Sequence, residues 1–252
     1  MSTPTKTYTS ISHTLLTTHA ASLTPSPPPS LKPTTPSLTA SISSLLLHPC
    51  VETTLHLLNA DLSSAHFLVR HMQSPPAVEG MLLHGILHRI EGDMDNARAW
   101  VGDVGDACEG WVPKKGPKGP QGGEKGEQGE QGERLEEDVL RKVGMTAEGE
   151  EEGMEAGLLR WVYGGSAQEA RARALGLVDA VEAWRKRKGG EAERERLDAQ
   201  AREELGRVLQ WCEAKFGTRE WSDASSAWVK NSEEIQSISD GMVSGGKGRR
   251  DF

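Results

Sequence analysis

Residues 197–216, LDAQAREELGRVLQWCEAKF, carry the clearest pattern of the chain. Their apolar side chains recur at steps of three or four residues, which is the spacing of one face of an α-helix. The residues of this stripe are Leu197, Ala201, Leu205, Val208, Cys212 and Phe216. Gly217 follows at once and predicts the end of the helix. We therefore expect an amphipathic helix with its apolar face in a core.

The flanking sequence of residues 135–244 is also helical in character. Ser166 and Glu169 have the spacing of a capping box and predict the start of a long helix that ends near Arg187. A similar pair, Asn231 and Glu234, predicts a last helix. Predicted helices of this block lie at residues 135–143, 151–163, 167–187, 197–216 and 231–243. Residues 245–252 are expected to fray.

A second helical block is predicted at residues 38–112. Asp61 can cap one of its helices, and Ser74 followed by Pro75 predicts the start of another. Gly92 and Asp93 then predict the end of that helix and the cap of the next. The predicted helices lie at residues 38–47, 51–58, 62–72, 75–90 and from 94 onward. The fold class is thus all-α, a helical bundle or helical-repeat-like body in which the two blocks pack together.

Two segments read as non-helical. Residues 1–37 are rich in Ser, Thr and Pro and contain few large apolar residues, so we expect a mostly disordered tail, with a short helix allowed near residues 11–23. Residues 113–134, PKKGPKGPQGGEKGEQGEQGER, have glycine at nearly every third position but only about seven triplets and one register break. We expect a flexible, collagen-like insert rather than a triple helix.

Composition limits the function classes. The formal charge is −8, which argues against general nucleic-acid binding, because that requires an excess of Lys and Arg. No apolar run has the length of a membrane span. Three widely spaced cysteines favour a reducing compartment, and we expect the cytosol. The basic run at residues 185–188 is interpreted as a solvated helix end in preference to a nuclear-import signal.

The histidines are concentrated in the first block. All eight lie in residues 13–88, and six lie between residues 48 and 88. His84, His88 and Glu91 share one helix face, since they are four and three residues apart. His66 lies on the preceding predicted helix, and the short connection should bring His66 and His84 to similar heights. These four residues are therefore candidate ligands of a divalent metal ion.

Two other interpretations of this face stay open. His84, His88 and Glu91 point largely away from the apolar side of their helix, so the face can be a solvated surface or the lining of a metal-free pocket. The spacing of His84 and His88 is that of a zinc metalloprotease helix, but Gly85 stands where the general-base Glu belongs. We therefore reject a metalloprotease.

Residues 79–103, EGMLLHGILHRIEGDMDNARAWVGD, predict a helix, a Gly-Asp turn and a second helix. In this they are similar to one tetratricopeptide-like hairpin, although no second copy occurs at that family's period. Together with residues 211–248, this segment resembles a group of uncharacterised proteins of filamentous fungi, and its HGILHRIE part is similar to some bacterial proteins. The resemblance implies only that the histidine segment belongs to the folded body.

Two functions follow as hypotheses. The favoured one is a small-molecule-binding protein or metal-assisted enzyme with a divalent metal as cofactor. His84 or His88 would carry a proton or ligate the metal, Glu91 would orient or ligate, and Arg89 is added as a catalytic candidate. Arg70 or Arg89 would hold a substrate anion, and Trp100 would contact the ligand. The alternative is a non-catalytic helical adaptor that binds a peptide or protein partner.

Overall fold

The computed structural model describes residues 7–18, 21–24, 32–108, 142 and 156–229, and it has no strand in these residues. Their α-helices are α1 (Tyr8–His13), α2 (Pro36–Ser43), α3 (Pro49–Leu58), α4 (Leu62–Val69), α5 (Val78–Glu91), α6 (Met94–Cys108), α7 (Ala156–Tyr163), α8 (Ala167–Arg187) and α9 (Glu191–Phe216). A π-helical turn at Thr14–Thr18 and a 3₁₀ turn at Ala224–Ala227 complete the elements. The all-α fold class is confirmed.

Helix α9 is the element predicted from the apolar stripe. Leu197, Ala201 and Leu205 are fully buried, and Phe216 at the end of the stripe is partly buried. The helix ends before Gly217, whose φ of 74° is in the left-handed region. Because α9 contacts α3, α7 and α8, the two predicted blocks share one core.

Local capping signals set several other helix ends as predicted. The capping box of Ser166 and Glu169 is formed in front of α8. Asp61 accepts a hydrogen bond from the backbone N–H of Ser64 at the start of α4. Gly92 ends α5 with a φ of 100°, and Asp93 accepts from the backbone N–H of Asn96 in α6. Each of these signals acts within four residues, so sequence alone carries it.

The predicted start of α5 was wrong. The helix begins at Val78, not at Pro75, and Ala77 is its N-cap. Pro76 explains the difference, because a residue that precedes proline is disfavoured in the helical region. The chain instead makes a turn in which the backbone N–H of Ala77 donates to the carbonyl of Ser74.

The prediction of a disordered tail was wrong for residues 7–18 and 21–24. Ile11, Leu15 and Leu23 are buried there to 1 % exposure or less. Asp198 of α9 accepts hydrogen bonds from the backbone N–H groups of Leu23 and Thr24, at 2.9 and 2.7 Å. The composition of the tail predicts disorder, but this segment contacts α2 and α3 and makes hydrogen bonds to α9 that local sequence does not show.

Several predicted segments lie outside the described residues. These are the glycine-rich insert 113–134, the helix 231–243, the tail 245–252 and, apart from residue 142, the helix 135–143. Of the helices that are described, none is both long and apolar enough to span a membrane.

Candidate functional site

Three histidines of two successive helices come together. His84 and His88 lie one turn apart on α5, with their rings stacked and the ring centroids 4.8 Å apart. His66 of α4 faces both, with ring centroids 5.4 Å from His84 and 5.6 Å from His88. The prediction that His66 and His84 lie at similar heights is confirmed. We call His66, His84 and His88 the histidine cluster.

The ring nitrogens of the cluster converge. Each residue offers one nitrogen, and these three atoms lie within 4.8 Å of one another. Glu91, at the end of α5, reaches the same place: its carboxylate oxygens lie 3.7 Å from Nδ1 of His66 and 3.2 Å from Nδ1 of His88. Glu91 therefore adjoins two of the predicted ligands, while the atoms that converge are those of His66, His84 and His88.

Helix α6 covers the cluster on one side. The ring of Trp100 stacks on His84, with the centroids 4.4 Å apart and the planes 23° from parallel. Gly85 permits this packing, because a Cβ at that position would lie 3.0 Å from the Cβ of Trp100. The glycine that removes the metalloprotease motif thus lets α6 approach α5. Trp100, predicted to contact a ligand, contacts His84 directly.

The solvated-surface interpretation was wrong for His84, which is 3 % exposed. Helix α5 contacts α3, α4 and α6, so the face opposite its apolar stripe meets α4 and α6 rather than water. His66 and Glu91 keep 28 % and 22 % of their side chains exposed. The cluster therefore has one buried end and one end that opens to solvent.

Burial keeps the rings of His66 and His84 neutral. Burial first, and the neighbouring histidines and Arg70 second, lower the pKa of His84 to about 2. The pKa of His66 is lowered as well, again mainly by burial, against the opposing effect of Glu91. Both imidazoles are neutral at pH 7, the form that can offer a lone pair to a metal ion.

Two ring nitrogens of the cluster have no hydrogen bond. Nδ1 of His84 and Nδ1 of His88 are buried, and within the described part of the chain neither makes one. The Nδ1 atom of His88 does lie close to Glu91, but without hydrogen-bond geometry. Buried polar atoms are usually paired, because an unpaired one costs about 1–3 kcal/mol. Such atoms in adjacent rings indicate a place for a further partner.

Arg70 and Arg89 have different surroundings. Arg70 follows His66 by one turn, is exposed, and its charge acts on the pKa values of His66 and His84. Among the described residues its guanidinium has no ion pair, and its role as an anion holder stays a prediction.

Arg89 does not contact the cluster, and its prediction as a catalytic or anion-holding residue was wrong. It is 2 % exposed, and both terminal nitrogens donate to the carboxylate of Glu204 in α9, one at 2.9 Å. The hydroxyl of Tyr163 donates to the same carboxylate, at 2.5 Å. Glu204 lies 115 residues from Arg89 in the sequence, and no local signal in the sequence indicates that the two form a pair.

His56 makes a second buried histidine site with a different character. Its Nδ1 lies 3.2 Å from Asp61, and its Nε2 lies 3.5 Å from Glu52. Asp61 also caps α4 and accepts from Thr39 of α2 at 2.6 Å. Carboxylates face both ring nitrogens, so this group joins α2, α3 and α4, and among the described residues its atoms do not form a converging group that could hold a metal ion.

No family model, curated protein or solved structure matches this chain. The function therefore has to be argued from the site itself.

Proposed function

We propose that the protein binds one divalent transition-metal ion through His66, His84 and His88, with Glu91 as a fourth ligand, and that it acts as a metal-assisted enzyme on a small molecule. The observation that carries the proposal is the convergence of three ring nitrogens within 4.8 Å. Imidazole nitrogens with one carboxylate suit ions such as Zn²⁺, Fe²⁺ and Ni²⁺.

The geometry is close to that of a bound ion. Metal–nitrogen bonds are about 2.0–2.1 Å long, so three nitrogens on one ion are separated by roughly 3.0–3.4 Å. The largest nitrogen–nitrogen separation in the histidine cluster exceeds this range by roughly 1.5 Å. Binding would require small side-chain rotations, for which His66, the most exposed member of the cluster, has the most freedom, while Trp100 packs against His84.

The charges support a metal-assisted reaction. Three neutral imidazoles and one carboxylate leave a divalent ion with a net positive charge, and the ion would supply Lewis-acid activation of a bound water or substrate oxygen. Glu91, the proposed fourth ligand, is partly exposed, so solvent or a substrate would reach the ion from this end. Arg70 supplies a second cation at the open end, which favours an anionic substrate.

The adaptor alternative requires an exposed apolar groove. Among the described residues, Leu46 and Phe67 are the only large apolar side chains that are exposed. Two side chains make a smaller surface than a peptide-binding groove needs. We therefore favour the metal site over the adaptor.

Cobalt substitution tests the proposal. Co²⁺ added to the tag-free protein should give visible absorption bands that saturate at one ion per chain, and Zn²⁺ should displace them. His84→Phe keeps a ring stacked on Trp100 but removes the ligand, so the bands should disappear while the melting temperature stays close to that of the wild type. Saturation with equal intensity in both proteins would refute the proposal.

A reducing compartment fits the cysteines. Cys50 and Cys212 are free and buried. On this ground we propose that the protein is located in the cytosol.

A further inference from the structure

A cleft between α8 and α9 lies apart from the histidine cluster. Its volume is about 450 Å³, which is within the usual range of small-molecule sites. Residues from the end of α7 close one end of the cleft. The elements that form the histidine cluster, α4 and α5, supply no residue to its lining.

The cleft has an excess of positive charge. Arg173 of α8 and Arg196 and Arg207 of α9 line it, against the two acids Glu203 and Glu204. The charge of Glu204 is already neutralised by Arg89 beneath the cleft wall. Glu203 is therefore the one acid of the lining that remains, and Glu193, which does not line the cleft, lies 3.9 Å from Arg196.

The guanidinium groups are held in place but keep free donors. Arg173 donates to the carbonyl of Tyr163 at 2.9 Å, and Arg207 donates to the carbonyl of Trp161 at 3.3 Å and to Glu203 at 2.7 Å. Arg196 makes one long bond, of 3.4 Å, to Gln200. A guanidinium has five N–H groups, and these bonds use one or two on each arginine.

One position in the wall of the cleft has no side chain. Gly176 lies in the middle of α8, and a Cβ built there would meet nothing within 4 Å. Neither a turn nor close helix packing requires glycine at this position, and a glycine in a helix interior weakens the helix. A role in keeping the cleft open accounts for this residue.

We propose that this cleft binds a small anionic molecule that carries phosphate or carboxylate groups. Arg173 and Arg207 would hold an anionic group beside Tyr163, and Arg196, about three turns of α9 away from Arg207, would contact only a longer ligand. The inference is independent of the metal site, because no histidine of the cluster takes part.

Titration calorimetry with two probes, pyrophosphate and citrate, tests this inference at about 0.15 M salt, where weak surface attraction is screened. We expect saturable binding of at least one probe with Kd below about 1 mM. The probe that binds with the lower Kd shows whether the cleft prefers a phosphate or a carboxylate ligand. Absence of saturable binding for both probes overturns the proposal.

Three variants distinguish a specific binding site in the cleft from nonspecific electrostatic attraction to the surface. Gly176→Trp fills the cleft without changing the charge, and Arg207→Gln removes one donor; each should raise Kd by about tenfold or more, the scale of one charge-assisted hydrogen bond. Lys186→Gln removes a cation of α8 that is 73 % exposed and does not line the cleft, and it should change Kd by less than about twofold. The melting temperature of Gly176→Trp monitors its fold. An unchanged Kd in a folded Gly176→Trp protein, or equal losses in all three variants, overturns the proposal.

Discussion

The imidazole rings of His66 and His84 lie with their centroids 5.4 Å apart and their planes 66° from parallel, although they belong to different helices. The short connection between α4 and α5 brings them together, and Trp100 holds one of the two in place by stacking. His84 is thus fixed between two helices, whereas His66 is partly exposed and has more freedom to reorient.

The buried pair of Arg89 and Glu204 should be essential for stability. Glu204→Gln leaves the guanidinium of Arg89 buried without a counter-charge, and we expect it to lower the free energy of unfolding by about 3–5 kcal/mol. The double variant Arg89→Met with Glu204→Leu should recover most of the loss, since it removes both charges. Urea unfolding measures both effects. A loss below about 1 kcal/mol in Glu204→Gln would show that the pair is not desolvated in solution.

The N-terminal segment should depend on Asp198. Asp198→Ala leaves the backbone N–H groups of Leu23 and Thr24 without their acceptor, and Thr24 is fully buried. We expect a loss of about 1–3 kcal/mol and faster proteolysis within residues 7–24. Glu195→Ala, a change at an exposed site on the same helix, is the control. Equal proteolysis rates in the two variants would contradict the docking of this segment.

The contribution of His56 to stability should depend on pH. Burial by itself would lower the pKa of His56, but its interactions with Asp61 and Glu52 raise the pKa above the ordinary value. Because the folded protein binds this proton more tightly than the unfolded chain, the stabilisation is complete below about pH 6.5 and is lost as the pH rises through the raised pKa.

Asp61 sets the lower pH limit of the stabilisation by His56. Its own burial would raise its pKa, but the neighbouring His56 and hydrogen bonds from Thr39 and Ser64 lower the pKa well below the ordinary range. Its contribution is present above about pH 4 and is lost as the pH falls. The difference in unfolding free energy between the wild type and His56→Gln should therefore be largest between about pH 4 and 6.5. A difference in unfolding free energy that grows from pH 6 to pH 9 would contradict this prediction.

The features that the sequence predicted correctly are those that depend on the spacing of nearby residues. The stripe of α9, the capping box before α8 and the meeting of His66 with His84 and His88 each follow from spacings of three or four residues and one short connection. The start of α5 was misplaced because the restriction that Pro76 imposes on Pro75 outweighs the capping signal of Ser74.

Contacts between distant segments could not be predicted in this way. Arg89 looked like a candidate for substrate binding because it lies beside His88, but the next residue of a helix points to a different side. Its partner Glu204 and the partner of the N-terminal segment, Asp198, both lie in α9, more than 100 residues away. Long-range contacts of this kind follow no periodic pattern in the sequence, so only the packed fold identifies them.

Competition titration with a Zn²⁺ chelator tests the central claim most directly. We compare the wild type, His88→Gln and the matched control His71→Gln, which removes an exposed histidine outside the cluster. The wild type should bind one Zn²⁺ per chain. His88→Gln should weaken binding by more than about 100-fold, because even residues that merely hold a ligand in place contribute about 10- to 100-fold. His71→Gln should leave the affinity unchanged. Equal affinities in all three proteins, or no stoichiometric binding by the wild type, would contradict the account.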